Sequence, residues 1–458
     1  MRLTLKANRN SKEQYPKPGL YGYAHEAQSE RSQIHLRVER DRGLLLINAI
    51  RAIHLNPTAT LMAWHILEGN PDADIVALLR RKFRVSESTA KTDLNKLRMQ
   101  IEQLIQPDGA CPIHDLELDL IPPFSETPSA PYRMDLALTY RCNADCPHCY
   151  NARPRDYPEM TTAQWNRVID LLWDIGVPHI CFTGGESTLR KDLSDLIARA
   201  DAKGQITGLL TNGIRLSDRN YVEELVSAGL DHVQITIESH LAEEHNRMVG
   251  THGAWEKTVQ GIRNALDCGL YTMTNTTLLA NNTPFLADTI DFLADLGVLT
   301  IGCNALIHSG RGKNVGSGIP EVDLAPLLEI VRARTQHHGQ RLIWYTPTQY
   351  CHFDPVQMEL GIKACSAARY NMCIESDGAV IPCQSYYQPV GNILQDPWDA
   401  IWNHDLSHWL RERGYIPEEC SDCPTLKECG GGCPLTLAHQ SQQVPMNQVP
   451  IPDSLFKT

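Results

Sequence analysis

The chain has 458 residues, of which 42% are hydrophobic and 21% charged, with a formal net charge of −12; this is the composition of a soluble globular protein of about three domains. Mean hydropathy is −0.30 and no run of 18 apolar residues occurs, which excludes a transmembrane helix, so no membrane partner is expected. The opening MRLTLKANRNSKEQYPKPG has no apolar segment, so a cytoplasmic location is expected and a secretory signal is not.

Residues 1–32 are polar and aperiodic and read as a flexible tail. Residues 33–108 form a first domain. IHLRVERD, GLLLINA and RAIHLN read as three strands, with a turn at 41–43. Helical patterns follow over 57–69, 72–83 and 86–105, with Ser86 as the N-cap of the last. Three strands and three helices make a winged-helix-like α+β domain. Residues 1–105 carry 17 Lys and Arg against 11 Asp and Glu, a net of +6 that leaves −18 for residues 106–458. Such an asymmetry suits a separate binding function for the basic end. Residues 109–132 hold five prolines, among them Pro122 and Pro123, and read as a semi-rigid linker.

Over residues 133–345 strand and helix patterns alternate. Strands are expected at 134–140, 179–184, 206–213, 232–239, 271–279 and 299–307, and helices stop at Gly176, Gly229, Gly269 and Gly297. Six β-α units imply an α/β fold with a parallel sheet and outer helices, open or closed into a partial barrel, with its chemistry at the C-terminal strand ends. Residues 346–440 lose this regularity and gain cysteine, proline and glycine, a C-terminal cysteine-rich domain. Residues 441–458 read as a second tail.

Fifteen cysteines, an odd number, bunch at 142–149 and 420–433. In a chain without an export signal, bunching points to metal or cluster ligation rather than to disulfides. Cys142, Cys146 and Cys149 form C-x3-C-x2-C directly after the first of the alternating strands. Three thiolates on one loop can bind three irons of a [4Fe–4S] cube and leave the fourth open. A closed zinc site would need a fourth ligand, for which His148, between two of the cysteines, is cramped. A second set is Cys365-x12-Gly378-x4-Cys383, then Cys420-x2-Cys423-x5-Cys429-x3-Cys433, more thiols than a zinc ribbon needs. Cys181, Cys268 and Cys303 fall inside strands or helices and read as small buried hydrophobes, and Cys111 in the linker is assigned no role.

The segment LALTYRCNADCPHCY resembles the cluster loop of radical S-adenosylmethionine (radical SAM) enzymes. FTGGES at 182–187 is similar to that family's glycine-glycine-glutamate motif, which receives the amino group of SAM; Gly184 and Gly185 allow close backbone approach and Glu186 offers a charge-assisted partner. TNG at 211–213 and VQITIES at 233–239 are similar to the third and fourth family segments, and HNRMVG at 245–250 to the next. The resemblance implies SAM contacts from Gly184, Gly185, Glu186, Thr211, Asn212, Thr236 and Arg247. It implies a partial (β/α)6 TIM-type barrel in which the cluster's open iron chelates SAM, and in which one-electron cleavage yields a 5′-deoxyadenosyl radical that takes hydrogen from substrate. Asn275, Asn304, His308 and Arg311, on or after strands five and six, are candidates to face that substrate.

The C-terminal cysteines resemble the SPASM extension of peptide-modifying radical SAM enzymes, which holds auxiliary Fe–S clusters. By that resemblance Cys365, Cys383 and Cys433 serve one auxiliary cluster, with Cys351 or Cys373 completing it, and Cys420, Cys423 and Cys429 the other. The family's further downstream cysteine has no counterpart after Cys433, so the second cluster is expected to have an open iron, a non-cysteine ligand such as His439, or incomplete occupancy, which makes one or two auxiliary clusters in all. The N-terminal domain resembles the PqqD-like peptide-recognition domain. Together these imply a peptide maturase that receives electrons from an external flavodoxin- or ferredoxin-type donor. It would act on a ribosomally made precursor peptide bound through the N-terminal domain, giving a crosslink, a thioether or an oxidation. The alternatives are a radical SAM enzyme acting on a small metabolite or on a folded protein, as sulfatase maturases do, and a redox-sensing Fe–S regulator that binds DNA. The helix SESTAKTDLNKLRMQIEQLI argues against the last, because it has only three basic residues, partly offset by Asp93 and Glu102.

Overall fold

The computed structural model describes residues 15–27, 30–40, 42–48, 51–105 and 128–443. The expected turn residue 41, Cys111, linker positions 109–127 and tail residues 1–14 and 444–458 lie outside the described residues. The chain divides into two compact units, one made of the first 132 residues with 169–179 and 202–206, the other of the remainder.

In the first unit four antiparallel strands run in the order β1 (Gly19–Ala27), β2 (Glu30–Val38), β3 (Gly43–Ile47) and β4 (Arg51–Leu55). Three helices follow, α1 (Pro57–Leu67), α2 (Asp72–Phe83) and α3 (Glu87–Ile105). The expectation of a tail over 1–32 and of three strands is corrected here. GLYGYAHEA pairs along its whole length with β2, from Gly19 opposite Val38 to Ala27 opposite Glu30. Glycines at 19 and 22 weaken its strand signal, and the ladder hydrogen bonds to β2 supply what the pattern lacks. Asn56 caps α1 by accepting from the Ala59 amide, ahead of Pro57 at the first helical position. Ser86 caps α3 through the Thr89 amide. Ile34, Leu36 and Val38 alternate along β2 and pack with Leu61, Ile75, Leu79, Leu94 and Ile101 of the helices in one core, each such side chain contributing about 1.5–3 kcal/mol by leaving water. The intervening Arg37 is also buried. Its guanidinium donates to the carbonyls of Ala130 (2.8 Å) and Pro131 (2.9 Å), so the end of the linker is pinned rather than loose.

In the second unit the parallel strands are β5 (Arg133–Thr139), β6 (His179–Gly184), β7 (Ile206–Thr211), β8 (His232–Thr236), β9 (Tyr271–Leu278), β10 (Thr300–Ala305) and β11 (Arg341–Trp344). The main connecting helices are α4 (Thr162–Ile175), α5 (Leu193–Lys203), α6 (Arg219–Ser227), α7 (Ala242–Val249), α8 (Ala254–Asp267), α9 (Leu286–Asp295) and α10 (Leu324–His337). Gly176, Gly229, Gly269 and Gly297 follow helices with φ between 72° and 98°, the left-handed conformation that stops a helix. Beyond the six expected strands, RLIW forms a seventh, β11, parallel to β10. Four residues are too short to show a period. The cysteine-rich region adds β12 (Asn371–Ile374), β13 (Ala379–Ile381) and β14 (Gly391–Asn392) to the same sheet, whose order is β11-β10-β9-β8-β7-β6-β5-β12-β13-β14. It also carries α11 (Trp398–Trp402), α12 (Asp405–Arg411), α13 (Leu426–Cys429) and α14 (Pro434–Gln443).

Candidate functional site

The expected residues gather at the C-terminal ends of β5 to β8. Cys142, Cys146 and Cys149 lie on the loop after β5, where the Ala144 amide donates to the Cys142 sulfur (3.4 Å). Burial raises the thiol pKa of Cys142 and Cys146, so ionising them calls for a metal or cluster to balance the charge. Backbone bonds hold this loop from several sides. Gly185 donates to the Thr139 carbonyl (2.8 Å), Glu186 to that of Arg141 (2.9 Å), Asp145 to that of Val249 (3.0 Å), and Arg311 to that of Cys149 (3.0 Å). The two glycines after β6 are required by this approach. A Cβ at Gly184 would lie 2.1 Å from the Thr139 oxygen, and one at Gly185 would lie 2.6 Å from that of Arg141; Gly184 also has φ +130°.

Glu186 is buried, 1% exposed. Its Oε1 accepts from the Thr188 amide (3.2 Å), the Thr188 hydroxyl (2.7 Å) and the Thr211 hydroxyl (2.8 Å), and its Oε2 from the Asn212 amide (2.9 Å). Asn212 in turn donates through Nδ2 to Asn143 Oδ1 (2.7 Å), between Cys142 and Ala144. The carboxylate therefore fixes the turn after β7, and that turn touches the cluster loop. Thr236 ends β8 opposite Asn275 of β9.

Arg247 is not brought to this group. Its side chain is 56% exposed and its guanidinium is paired with Glu244, one helical turn away on α7. That (i, i+3) carboxylate captures it, and α7 meets the cluster loop through the Val249 carbonyl instead. The arginine that reaches the loop is Arg311, whose Nη1 donates to Asp145 Oδ1 (2.6 Å). Sequence reasoning also left His148 unassigned. Its Nε2 lies 3.2 Å from Oε1 of the buried Glu238, which accepts the Thr277 amide through Oε2 (2.9 Å). A histidine in the cluster loop and a glutamate ending the fourth strand were both visible; their pairing was not. Among the substrate-facing candidates, Asn275 donates to Asn304 (2.7 Å) while its own Oδ1 is buried without a partner. The His308 ring stacks on His439 at 4.1 Å.

The C-terminal thiols fall into two groups. Cys365, Cys383 and Cys433 act on one another electrostatically, and burial raises all three, Cys383 to about 12. Cys420, Cys423 and Cys429 form the other group; Cys429 is buried and accepts the Tyr350 amide at its sulfur (3.4 Å). Cys373, expected as a completing ligand, lies in a core cluster with Ala137 and Ile381, its thiol directed to the Ile374 carbonyl (3.8 Å). His439 lies against His308 instead. The cysteine-rich region is tied to the cluster loop by Tyr140 donating to Glu375 (2.8 Å), Tyr150 donating to Gln384 (2.5 Å), and an Arg153–Glu375 ion pair (2.6 Å).

These donor sets fit iron–sulfur ligation. One loop offers three thiols at a strand end, and the C-terminal region offers further sulfurs held in tight turns such as the Cys423 amide to the Cys420 carbonyl (3.1 Å). Cys181 and Cys303 are buried inside strands and raised to about 12 by burial, as packing cysteines are.

Comparison with known proteins agrees. Residues 136–293 match the radical SAM superfamily and residues 365–424 match SPASM, an iron-sulfur cluster-binding domain. A PqqA peptide cyclase of Rhizobium meliloti (strain 1021) is 27% identical over 315 residues, 66% of this chain and 82% of that protein. A PqqA peptide cyclase of Streptomyces rochei is 29% identical over 316 residues, 66% of this chain and 84% of that protein. Among solved structures, Streptococcus suis SuiB bound to S-adenosylmethionine, and SuiB bound to its precursor peptide SuiA, both superpose with a TM-score of 0.67. Each is 17% identical and covers 88% of this chain and 95% of SuiB. At that identity the likeness is one of fold.

Proposed function

We propose that this radical SAM enzyme with a SPASM extension modifies a ribosomally synthesised precursor peptide. The observation that carries the substrate class is the company the chain keeps: peptide cyclases by sequence, and by fold a protein solved with its precursor peptide. Cys142, Cys146 and Cys149 would hold the cluster that chelates SAM, and Cys365, Cys383, Cys420, Cys423, Cys429 and Cys433 the auxiliary clusters. When bound, SAM and that cluster supply one-electron cleavage of the sulfonium, and with it a radical able to take hydrogen from carbon.

The chain's own residues position that chemistry. The backbone at Gly184 and Gly185 offers a surface without side chains to the amino end of SAM. Glu186 holds Thr211 and Asn212 in register with the cluster loop, and Thr236 lines the next strand end. Arg247, paired with Glu244, is left out of this set. In the first unit the sheet has edges at β1 and β4. A leader peptide would add a strand there, and the basic balance of residues 1–105 suits an acidic leader. An external one-electron donor of the flavodoxin or ferredoxin type completes the reaction. All 14 cysteines among the described residues are free, which suits a reducing, cytoplasmic setting.

The test is anaerobic incubation of cluster-loaded protein with SAM, reductant and short peptides recovered from host lysate on the protein. A peptide that loses hydrogens in step with 5′-deoxyadenosine release supports the reading. Turnover of a small metabolite with no peptide altered refutes it. Replacing Cys142, Cys146 and Cys149 together by alanine should abolish 5′-deoxyadenosine while iron remains in the C-terminal sites; retained production would remove the radical SAM assignment.

A further inference from the structure

We propose that Cys351 is the fourth thiolate of the auxiliary cluster held by Cys420, Cys423 and Cys429, so that the seven C-terminal thiols other than Cys373 divide four and three. The assignment rests on the cluster-binding reading of the C-terminal region and not on the peptide substrate.

Cys351 belongs to neither spaced motif. It follows β11, in a segment that the structure clamps onto the Cys429 turn. The Trp344 indole donates to the Thr348 hydroxyl (3.0 Å), which fixes the start of the segment. The Thr348 carbonyl accepts the Cys429 thiol (3.7 Å), and the Tyr350 amide donates to the Cys429 sulfur (3.4 Å). At Gly432 a Cβ would lie 2.9 Å from Cγ of Gln349, so residues 348–350 run hard against the turn between Cys429 and Cys433. Glu321 then pins both flanks of Cys351. Its Oε1 accepts the Gln349 amide (3.1 Å) and its Oε2 lies 2.6 Å from Nδ1 of His352. The His352 amide closes a turn on the Gln349 carbonyl (2.9 Å), which leaves Cys351 at the tip.

That tip stands beside the Cys429 turn, with the neighbouring Tyr350 bonded to the Cys429 sulfur itself. Successive turns tie the Cys429 turn to the other two thiols, the Leu426 amide donating to the Cys423 carbonyl (3.1 Å) and the Cys423 amide to the Cys420 carbonyl (3.1 Å). Cys433, although it ends the C-x2-C-x5-C-x3-C run, has its thiol partners in Cys365 and Cys383. The fourth member of the Cys420 group therefore comes from upstream of the whole motif. A cube with four thiolates has no exchangeable iron and is suited to passing electrons; the three-thiol set at Cys365, Cys383 and Cys433 keeps a position open. Cys351 is exposed, which makes the assignment testable by chemistry at one residue.

The full chain is loaded with iron and sulfide under anaerobic conditions, or stripped with a chelator, and treated with iodoacetamide, with labelling read by peptide mass spectrometry. Protection of Cys351, together with Cys420 and Cys423, in the loaded protein only is the expected result. Labelling of Cys351 at the same rate in both states, while Cys420 and Cys423 are protected, overturns the proposal. Labelling of all three in the loaded protein overturns the cluster-domain reading as well, which separates the two failures. A second measurement guards against simple shielding. In the Cys142, Cys146, Cys149 triple-alanine background, C351A should lower the iron content or change the electron paramagnetic resonance spectrum of the reduced clusters, with partial return in C351S, whereas C373A leaves both unchanged. Spectra altered by C373A and not by C351A would exchange the roles of the two residues and refute the assignment.

Discussion

Glu186→Gln is the sharpest probe of the site. The carboxylate accepts four hydrogen bonds, three at Oε1 and one at Oε2. A glutamine keeps one acceptor oxygen. If that oxygen faces Thr188 and Thr211, the new NH2 group is set against the Asn212 amide. If it faces Asn212, the two hydroxyls can turn to accept from the NH2, but the Thr188 amide loses its acceptor. Either way one backbone N–H is buried without a partner, at about 1–3 kcal/mol. The charge-assisted character of the remaining bonds is lost as well, partly offset by no longer burying an anion. A net of about 2 kcal/mol is expected, falling on the 211–213 turn rather than on the core. The turn then leaves Asn143 and the cluster loop, and the same energy appears as roughly 30-fold weaker SAM binding. Anaerobic equilibrium dialysis of labelled SAM against cluster-loaded wild-type and variant protein measures this directly. Affinity within about threefold of wild type, less than 1 kcal/mol, would show that the Glu186–Asn212 bond does not set the geometry of the site.

Two further outcomes are expected. His245 is buried and its Nδ1 accepts the Glu238 amide, and burial lowers its pKa from 6.5 to about 4; the unfolded chain therefore binds more protons between those values, and stability falls as pH drops through that window. Burial lowers His35, His232 and His308 in the same way, so the wild type loses stability through several such groups. The share of His245 between pH 7.5 and 5.5 is about 1 kcal/mol, and His245→Gln should lose that part of the pH dependence in denaturant unfolding; equal slopes in both proteins would refute it. Arg37→Ala leaves the buried carbonyls of Ala130 and Pro131 without donors and should lower the stability of the first unit by about 2–4 kcal/mol, while 5′-deoxyadenosine formation without peptide persists; an unchanged unfolding midpoint would deny the clamp.

The parts legible in the sequence are those written in spacing. The three-thiol loop, the paired glycines and the glycine helix stops depend on residues close along the chain, and each lies where the strand ends place it. The close approach inferred at Gly184 and Gly185 has its partner in the backbone of residues 139–141. What sequence left dark depends on contacts between distant segments. β1 owes its strand to β2 rather than to its own pattern, and β11 to β10. Arg247 sits in the expected segment but has an acidic neighbour at the right helical spacing to hold it elsewhere. Cys351 carries no motif, and only the folding of residues 348–350 onto Cys429 reveals its company. His148 and Glu238 are 90 positions apart, a distance over which no periodicity speaks.

The pairing of β12 with β5 has a mechanical meaning. Asn371 to Ile374 lie in parallel register beside Arg133 to Leu136, the strand that leads into the cluster loop. The cysteine-rich region and the barrel therefore share one plate of peptide hydrogen bonds and are not joined by a hinge. A change in the distance between their sulfurs would need movement of the loops that carry them rather than of one domain against another. A transplant of the C-terminal region onto another barrel would have to be cut through a sheet rather than at a linker.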